Sequence, residues 1–201
     1  MATKRGRPLS SDVSEALRQA AERIMRSSGY SSLTVDGLVA EVGTTRPTFY
    51  RRYRNVGHLA FDVIQHRFGV NEIEDTGALS SDLLRLQRQE VAMFADPLLR
   101  NNLPGLLETI RIDESIRHLY LTQFIGPRRA NVQAVLDRAV TRGEMEASQM
   151  DLDWICDLLL SPLLTKALLP VGAGLTDELA RRTAELAFDQ ATRSSAVVAR
   201  G

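Results

Sequence analysis

Cysteine is all but missing from this chain: Cys156 is the only one. A single thiol can close no internal disulfide and build no cysteine-rich metal cluster, and such sparing use fits a reducing compartment. Aromatic residues are also scarce, at 5% of the total. β-Branched runs and strict polar–apolar alternation are few, so the 44% apolar content favours helices over sheets. A long hydrophobic run is lacking too. The most apolar stretch, 152–169, is broken by Asp153, Asp157, Ser161, Pro162 and Lys166, and is no clean membrane span. The basic start (Lys4, Arg5, Arg7) leads into no apolar signal core, so a soluble, cytoplasmic protein is expected. The three histidines, His58, His66 and His118, have no metal-binding spacing. His58 and His66 would lie about two helical turns apart, too far to share one ion. No glycine-rich phosphate loop, nucleophile elbow or acid–base pair stands out, so neither an enzyme nor a cofactor is expected.

An excess of one charge is the last thing absent, since 25 Lys/Arg face 25 Asp/Glu. The balance hides an asymmetry. Residues 1–58 hold ten Lys/Arg against five Asp/Glu, while residues 59–201 hold fifteen against twenty. One end is therefore suited to a polyanion and the other is not.

Residues 1–9 are basic, contain Gly6 and Pro8, and cannot form a core, which predicts a flexible arm. Ser10 or Ser11 can cap a helix with the inward face Val13, Leu17, Ala20, Ala21, Ile24 and Met25, ended by Gly29. Thr34 caps a short helix over 35–42, Gly43 permits a sharp turn, and Thr45 caps a third helix with Pro47 in its first turn. Gly37 stands where a capping box would place an acid, which weakens the Thr34 cap. Asn55 caps a fourth helix with the face Leu59, Val63, Ile64 and Phe68. Further helices are expected from Ser80 or Ser81 to about 94, and from Asp96-Pro97 with an interruption at Pro104-Gly105. Asp113 then caps a helix to 124, Gly126-Pro127 marks a break, and helices resume over 128–142, 151–169 and 177–192 before a frayed tail. The reading is all-α, about nine helices. It divides into an arm (1–9), a three-helix domain (10–55), a larger helical domain (56–193) and a tail (194–201).

Residues 34–53 meet the demands of a helix-turn-helix: two short helices, a glycine turn, and a second helix apolar on one side only. Leu38, Val42, Phe49 and Tyr53 can pack inward, which leaves Thr44, Thr45, Arg46, Pro47, Thr48, Arg51 and Arg52 outward. Arg46 could read guanine, and Thr48 could touch a base edge or a thymine methyl. Thr34, Tyr50 and Arg52 are residue types that hold phosphates. The arm's Arg5 and Arg7, the latter beside Pro8, could enter a narrow A·T minor groove or merely add solvated charge.

Residues 13–64 resemble the DNA-binding domain of the TetR family. The likeness runs through Ala20, Ala21, Gly29-Tyr30, Thr34-Val35, Leu38, Gly43, Thr48-Phe49-Tyr50, Tyr53, Asn55 and Leu59. It implies a regulator of transcription, usually a repressor that a small molecule releases from a palindromic operator. Four positions depart from the family pattern: Thr44 where Val is favoured, Gly37 and Gly57 where acids are common, and Val56 where Lys often holds a phosphate. Arg51, Arg52 and Arg54 are expected to supply the charge that Val56 lacks. Arg142-Gly143-Glu144 and Ser161-Pro162-Leu163 are similar to one C-terminal type of the family.

The helix over 151–169 is apolar nearly all round, and the last helix carries a small-residue stripe. Trp154, Leu158 and Pro162 with Ala180, Ala184, Ala187, Phe188 and Ala191 are therefore expected at a homodimer interface, the alternative being packing within one chain. Leu86, Met93, Phe94, Leu107, Tyr120, Phe124 and Trp154 are candidate walls of a pocket for an apolar or aromatic effector, the alternative being plain core. A domain that serves only dimerisation or protein contact would need no such pocket.

Overall fold

The computed structural model describes residues 10–70, 72–147, 151–169, 172 and 174–198, with side chains from Asp12 to Thr192 within those ranges. Arg5 and Arg7, the side chains of Ser10 and Ser11, and the end of the tail lie outside the described residues. Every regular element among the described residues is helical: α1 (Ser10–Ser27), a 3-10 turn (Tyr30–Ser32), α2 (Val35–Val42), α3 (Arg46–Tyr50), α4 (Val56–Arg67), α5 (Leu79–Ala95), α6 (Pro97–Ile112), α7 (Glu114–Leu119), a π turn (Tyr120–Ile125), α8 (Gly126–Thr141), α9 (Leu152–Leu168) and α10 (Asp177–Val198). Counting α7, the π turn and α8 as one run gives the nine helices expected.

Both proline-marked breaks are absent. Helix α6 passes through Pro104 without interruption. A mid-helix proline removes one hydrogen bond and crowds the carbonyl four residues back. Here Leu98 and Leu99 before it, and Asn102, Leu103 and Leu106 around it, are buried and hold the helix on course. At Gly126-Pro127 the chain widens into a π turn instead of breaking. The wider turn gives the carbonyl before Pro127 room that an α turn would not.

The chain packs as two compact units, residues up to Phe68 with Asn101–Tyr120, and Gly69–Arg100 with the residues from Leu121 on. This division differs from a boundary at residue 55, because α4 and most of α6 join the first unit. In that unit Leu17, Ala20, Ala21 and Met25 of α1, Leu38 of α2, Phe49 of α3 and Leu59, Ala60 and Val63 of α4 form the core. The buried Asn102 donates to the Met25 carbonyl at 3.1 Å. The Thr109 hydroxyl donates to the Gly105 carbonyl at 2.8 Å, which leaves the Tyr30 hydroxyl to donate to Thr109 at 2.5 Å. Two glycines permit the close approach. A Cβ on Gly105 would lie 2.5 Å from Cδ1 of Tyr30, and one on Gly57 would lie 2.7 Å from Ile116 and 2.9 Å from Thr109.

In the second unit α5 runs through the middle. Leu79, Leu83 and Leu86 meet Val132, Val135, Leu136 and Ala139 of α8, Ile155 and Leu159 of α9, and Ala184, Ala187 and Ala191 of α10. The alanine stripe thus faces inward, with Ala180, Ala184, Ala187 and Ala191 all buried against their own unit. Small residues at this spacing let α10 approach α5 closely, which corrects their assignment to a dimer surface. The start of α5 also differs from expectation. It begins at Leu79, before either serine, and Ala78 offers no side-chain cap. The cap comes from far along the chain, since Glu144 accepts from the Leu79 N–H at 2.8 Å. Arg142 holds that carboxylate through Nε at 2.5 Å and reaches Asp75 at 2.7 Å and the fully buried Asp82 at 3.4 Å. Burial alone would raise the Asp82 pKa, but hydrogen bonds from the Thr76 hydroxyl and amide and the charges of Arg138 and Arg142 outweigh it and hold it low. Gly143, at φ 76°, makes the turn that brings Arg142 and Glu144 to this point.

Gly105→Ala should destabilise the protein by about 1–3 kcal/mol, although alanine has the better helix propensity. In a Tyr30→Ala background the same change should be neutral or stabilising, and urea unfolding of the four proteins in the cycle measures the coupling.

Candidate nucleic-acid interface

The turn between α2 and α3 is built by local chemistry. Thr34 caps α2 by accepting from the Gly37 N–H at 3.1 Å, so the missing acid at 37 does not cost the cap. Gly43 takes φ 69° and ψ 37°, a left-handed conformation that side chains resist. Thr45 accepts from the Thr48 N–H at 3.4 Å and donates its hydroxyl to that of Thr48 at 3.0 Å. Pro47 sits in the first turn of α3, where its missing donor is not needed.

Helix α3 is anchored by one side chain. Phe49 is fully buried, with Tyr50 edge-on at 5.5 Å and Tyr53 tilted at 5.8 Å. Tyr53 is half-buried and donates to Asp62 at 2.7 Å, and its pKa is raised first by burial and then by that bond. The opposite side of α3 is open. Thr45, Arg46, Pro47, Tyr50 and Arg51 are exposed, while Thr44 and Thr48 are partly covered.

Two arginines predicted to face outward have partners. Arg46 makes a two-pronged contact with Asp36 in the first turn of α2, Nε donating to one carboxylate oxygen and Nη2 to the other. Asp36 is thereby held below its ordinary pKa, by hydrogen bonding first. Arg52 donates to the Ser14 hydroxyl of α1 and to the Thr48 carbonyl, each at 3.0 Å. It therefore braces α3 against α1. Neither Arg46–Asp36 nor Arg52–Ser14 was legible in the sequence, because each joins residues from separate elements.

The start of α4 is tied to α7 by a chain of hydrogen bonds. Asn55 accepts from the His58 N–H at 3.0 Å and donates to Asp113 at 3.0 Å. Asp113 accepts from the Ser115 hydroxyl at 2.5 Å and the Ser115 N–H at 2.9 Å. The His58 ring nitrogens lie 3.1 Å from the Ser115 hydroxyl and from the Asn55 side-chain oxygen, and the neutral imidazole can donate to one of them. The hydrogen bond from the Ser115 hydroxyl, then that from Asn55, outweighs burial and lowers the Asp113 pKa from 3.8 to about 2. Burial lowers the His58 pKa, with Asp113 opposing and Arg54 assisting.

The candidate pocket residues divide between the units. Leu107 and Tyr120 belong to the first, and Leu86, Met93, Phe94, Phe124 and Trp154 to the second. Leu86, Met93, Phe94 and Phe124 are buried, whereas Trp154 is 49% exposed. Arg128 links two of them, its guanidinium 3.7 Å over the Phe124 ring and donating to the Met93 sulfur at 3.0 Å. Glu90 lies 3.4 Å from Arg128, and its burial raises its pKa.

A glycine turn, two capped short helices, and a second helix fixed by one buried ring with its other side exposed define a helix-turn-helix protein of the kind that binds DNA. Residues 17–61 match the family model for bacterial regulatory proteins of the tetR family, and residues 73–187 match that for the tetracyclin repressor-like C-terminal domain. The chain belongs to the TetR family and is a DNA-binding transcriptional regulator, not an enzyme. It is similar to the uncharacterized HTH-type transcriptional regulator YdeS of Bacillus subtilis, 24% identical over 98% of both chains. It is also similar to the DNA-binding transcriptional repressor TetR of Mycobacteroides abscessus, 30% identical over 65% of this chain and 70% of that one. A TetR transcription regulator from Haloarcula marismortui shares the fold with a TM-score of 0.70, at 20% identity over 90% of this chain and 98% of that one. No helix among the described residues is long and apolar enough to cross a membrane.

Because the Asp113 pKa is depressed on folding, Asp113 contributes stability above about pH 4 that is lost as pH falls through about 2. Asp113→Asn should flatten this acid limb, so that the urea midpoints of the two proteins converge as the pH approaches 2.

Proposed function

We propose that the protein is a repressor that binds a palindromic operator as a homodimer and leaves it when a small apolar or aromatic molecule occupies its second unit. The observation that carries the DNA-reading part is the exposed side of α3, on which Thr45, Arg46, Pro47, Tyr50 and Arg51 are presented by the burial of Phe49. Arg46 and Thr48 read base edges, while Thr34, Thr44, Thr45, Tyr50, Arg51 and Arg52 fix the orientation on the backbone. Repression is supported by the Mycobacteroides abscessus relative, which is described as a repressor. Dimerisation places one recognition helix in each of two major-groove half-sites about one helical turn or more apart. Its support is the exposed apolar residues of α9 and α10: Trp154 and Leu186 are each 49% exposed, and Leu158 and Pro162 of α9 are partly exposed. Such an apolar surface suits a second copy of the same chain. The effector acts by favouring a head spacing that fits the operator less well. Leu86, Met93, Phe94 and Phe124 are its candidate contacts in the second unit.

Arg46→Ala combined with Thr48→Ala should reduce operator binding to the level of random DNA while sedimentation still shows the dimer. Unchanged operator affinity in a mobility-shift titration would sink the assignment. For the effector, a compound that raises the melting temperature should also weaken operator binding. At 100-fold above Kd it should stabilise the fold by about 2.7 kcal/mol. If no apolar or aromatic compound does both, a domain used for dimerisation alone is the better reading.

A further inference from the structure

The Asp36–Arg46 pair has a geometry that matters for reading bases. Asp36 is the second residue of α2 and Arg46 the first of α3, so the pair spans the turn of the helix-turn-helix. The carboxylate meets the guanidinium side-on, along the edge formed by Nε and Nη2. A guanidinium has five N–H groups. Side-on pairing uses the Nε–H and one Nη2–H. It leaves the other edge free, where the second Nη2–H and an Nη1–H lie parallel. Two parallel N–H groups are what guanine O6 and N7 accept in the major groove. The carboxylate and a guanine can therefore hold Arg46 at the same time, on adjacent edges.

We propose that Asp36 is a specificity-determining residue that positions Arg46 for guanine. The proposal rests on the reading of Arg46 as a base-contacting residue. The side chains are 62% and 65% exposed, so the pair adds little to stability, and its effect lies in orientation. A long arginine side chain can otherwise swing to a nearby phosphate, which would hold it with no regard to sequence. Asp36 confines it to the groove-facing direction. Its backbone position is fixed by the Thr34 cap on the same helical turn. The carboxylate also adds negative charge beside the DNA, which weakens binding to every sequence. Asp36 thus raises discrimination and lowers general affinity, and removing it should move the two in opposite directions.

The test is selection of operators from random DNA with the full-length wild type, followed by fluorescence anisotropy on operators varied at single positions, at two salt concentrations. In the wild type, one half-site position should prefer guanine by about tenfold or more. Asp36→Ala should cut that preference by about fivefold and tighten binding to random DNA by about twofold or more at low salt, with the circular dichroism spectrum unchanged. The double variant Asp36→Ala, Arg46→Ala should show the same base preference as Arg46→Ala alone. If Asp36→Ala leaves the guanine preference intact and merely tightens binding to all sequences, the positioning role is overturned and the base-reading role of Arg46 stands. Should Arg46→Ala itself keep the wild-type preference at every position, the base-reading role falls and this proposal falls with it.

Discussion

The exposed side of α3 depends on the burial of one ring, that of Phe49. Helix α3 is only five residues long. A helix of that length does not hold itself together in water, because nucleation costs more than so few hydrogen bonds return. Tertiary packing must supply the difference. Phe49 is fully buried, and a buried aromatic ring contributes on the order of 2–3 kcal/mol from apolar area alone. Tyr50 and Tyr53 pack against the same ring, Thr45 caps the helix, and Arg52 ties it to α1. The outward side chains of α3 inherit their direction from these contacts.

A second constraint acts at the start of α4, and it explains one departure from the family pattern. Gly57 is buried, and a Cβ there would collide with Ile116 and Thr109. An acid at this position could not be accommodated in this packing. The neighbouring Asn55 spends its amide on Asp113 and its carbonyl on the α4 N-terminus. The start of α4 is thus packed and hydrogen-bonded onto the start of α7. Gly105 plays the matching part under Tyr30. The first unit is thus held by close backbone approach and satisfied polar groups as well as by its apolar core.

What could be read from sequence was local. The caps Thr34, Thr45, Asn55, Asp113 and Thr176, and the turns at Gly29, Gly43 and Gly143, lie where residue type and spacing place them. Each depends on atoms within a few residues. What escaped the sequence depends on distant partners. Pro104 reads as a break unless one knows that α6 is buried along one face both before and after it, at Leu98, Leu99, Asn102, Leu103 and Leu106. The serines at 80 and 81 read as caps unless one knows that Glu144 reaches Leu79. The alanine stripe of α10 fits a partner chain or α5 equally well, since periodicity states that a face is buried and not what buries it. The same holds for Arg46, whose exposure was legible and whose pairing with Asp36 was not.

That pairing bears on how the basic first third acts on DNA. Of its ten Lys/Arg, three lie in the arm, and Arg18, Arg23, Arg26 and Arg46 form ion pairs with Glu15, Glu41, Glu22 and Asp36. Arg52 is committed to Ser14 and to the Thr48 carbonyl. Arg51 and Arg54 are left exposed and outside every ion pair among the described residues, just past the end of α3. The excess positive charge is therefore not spread over the surface of the helices. It falls on Arg51, on Arg52, whose hydrogen-bond partners are neutral, and on Arg54, together with Lys4, Arg5 and Arg7 of the sequence. Phosphate attraction falls off within about 10 Å at 0.1 M salt, so the placement of charge counts for more than its sum.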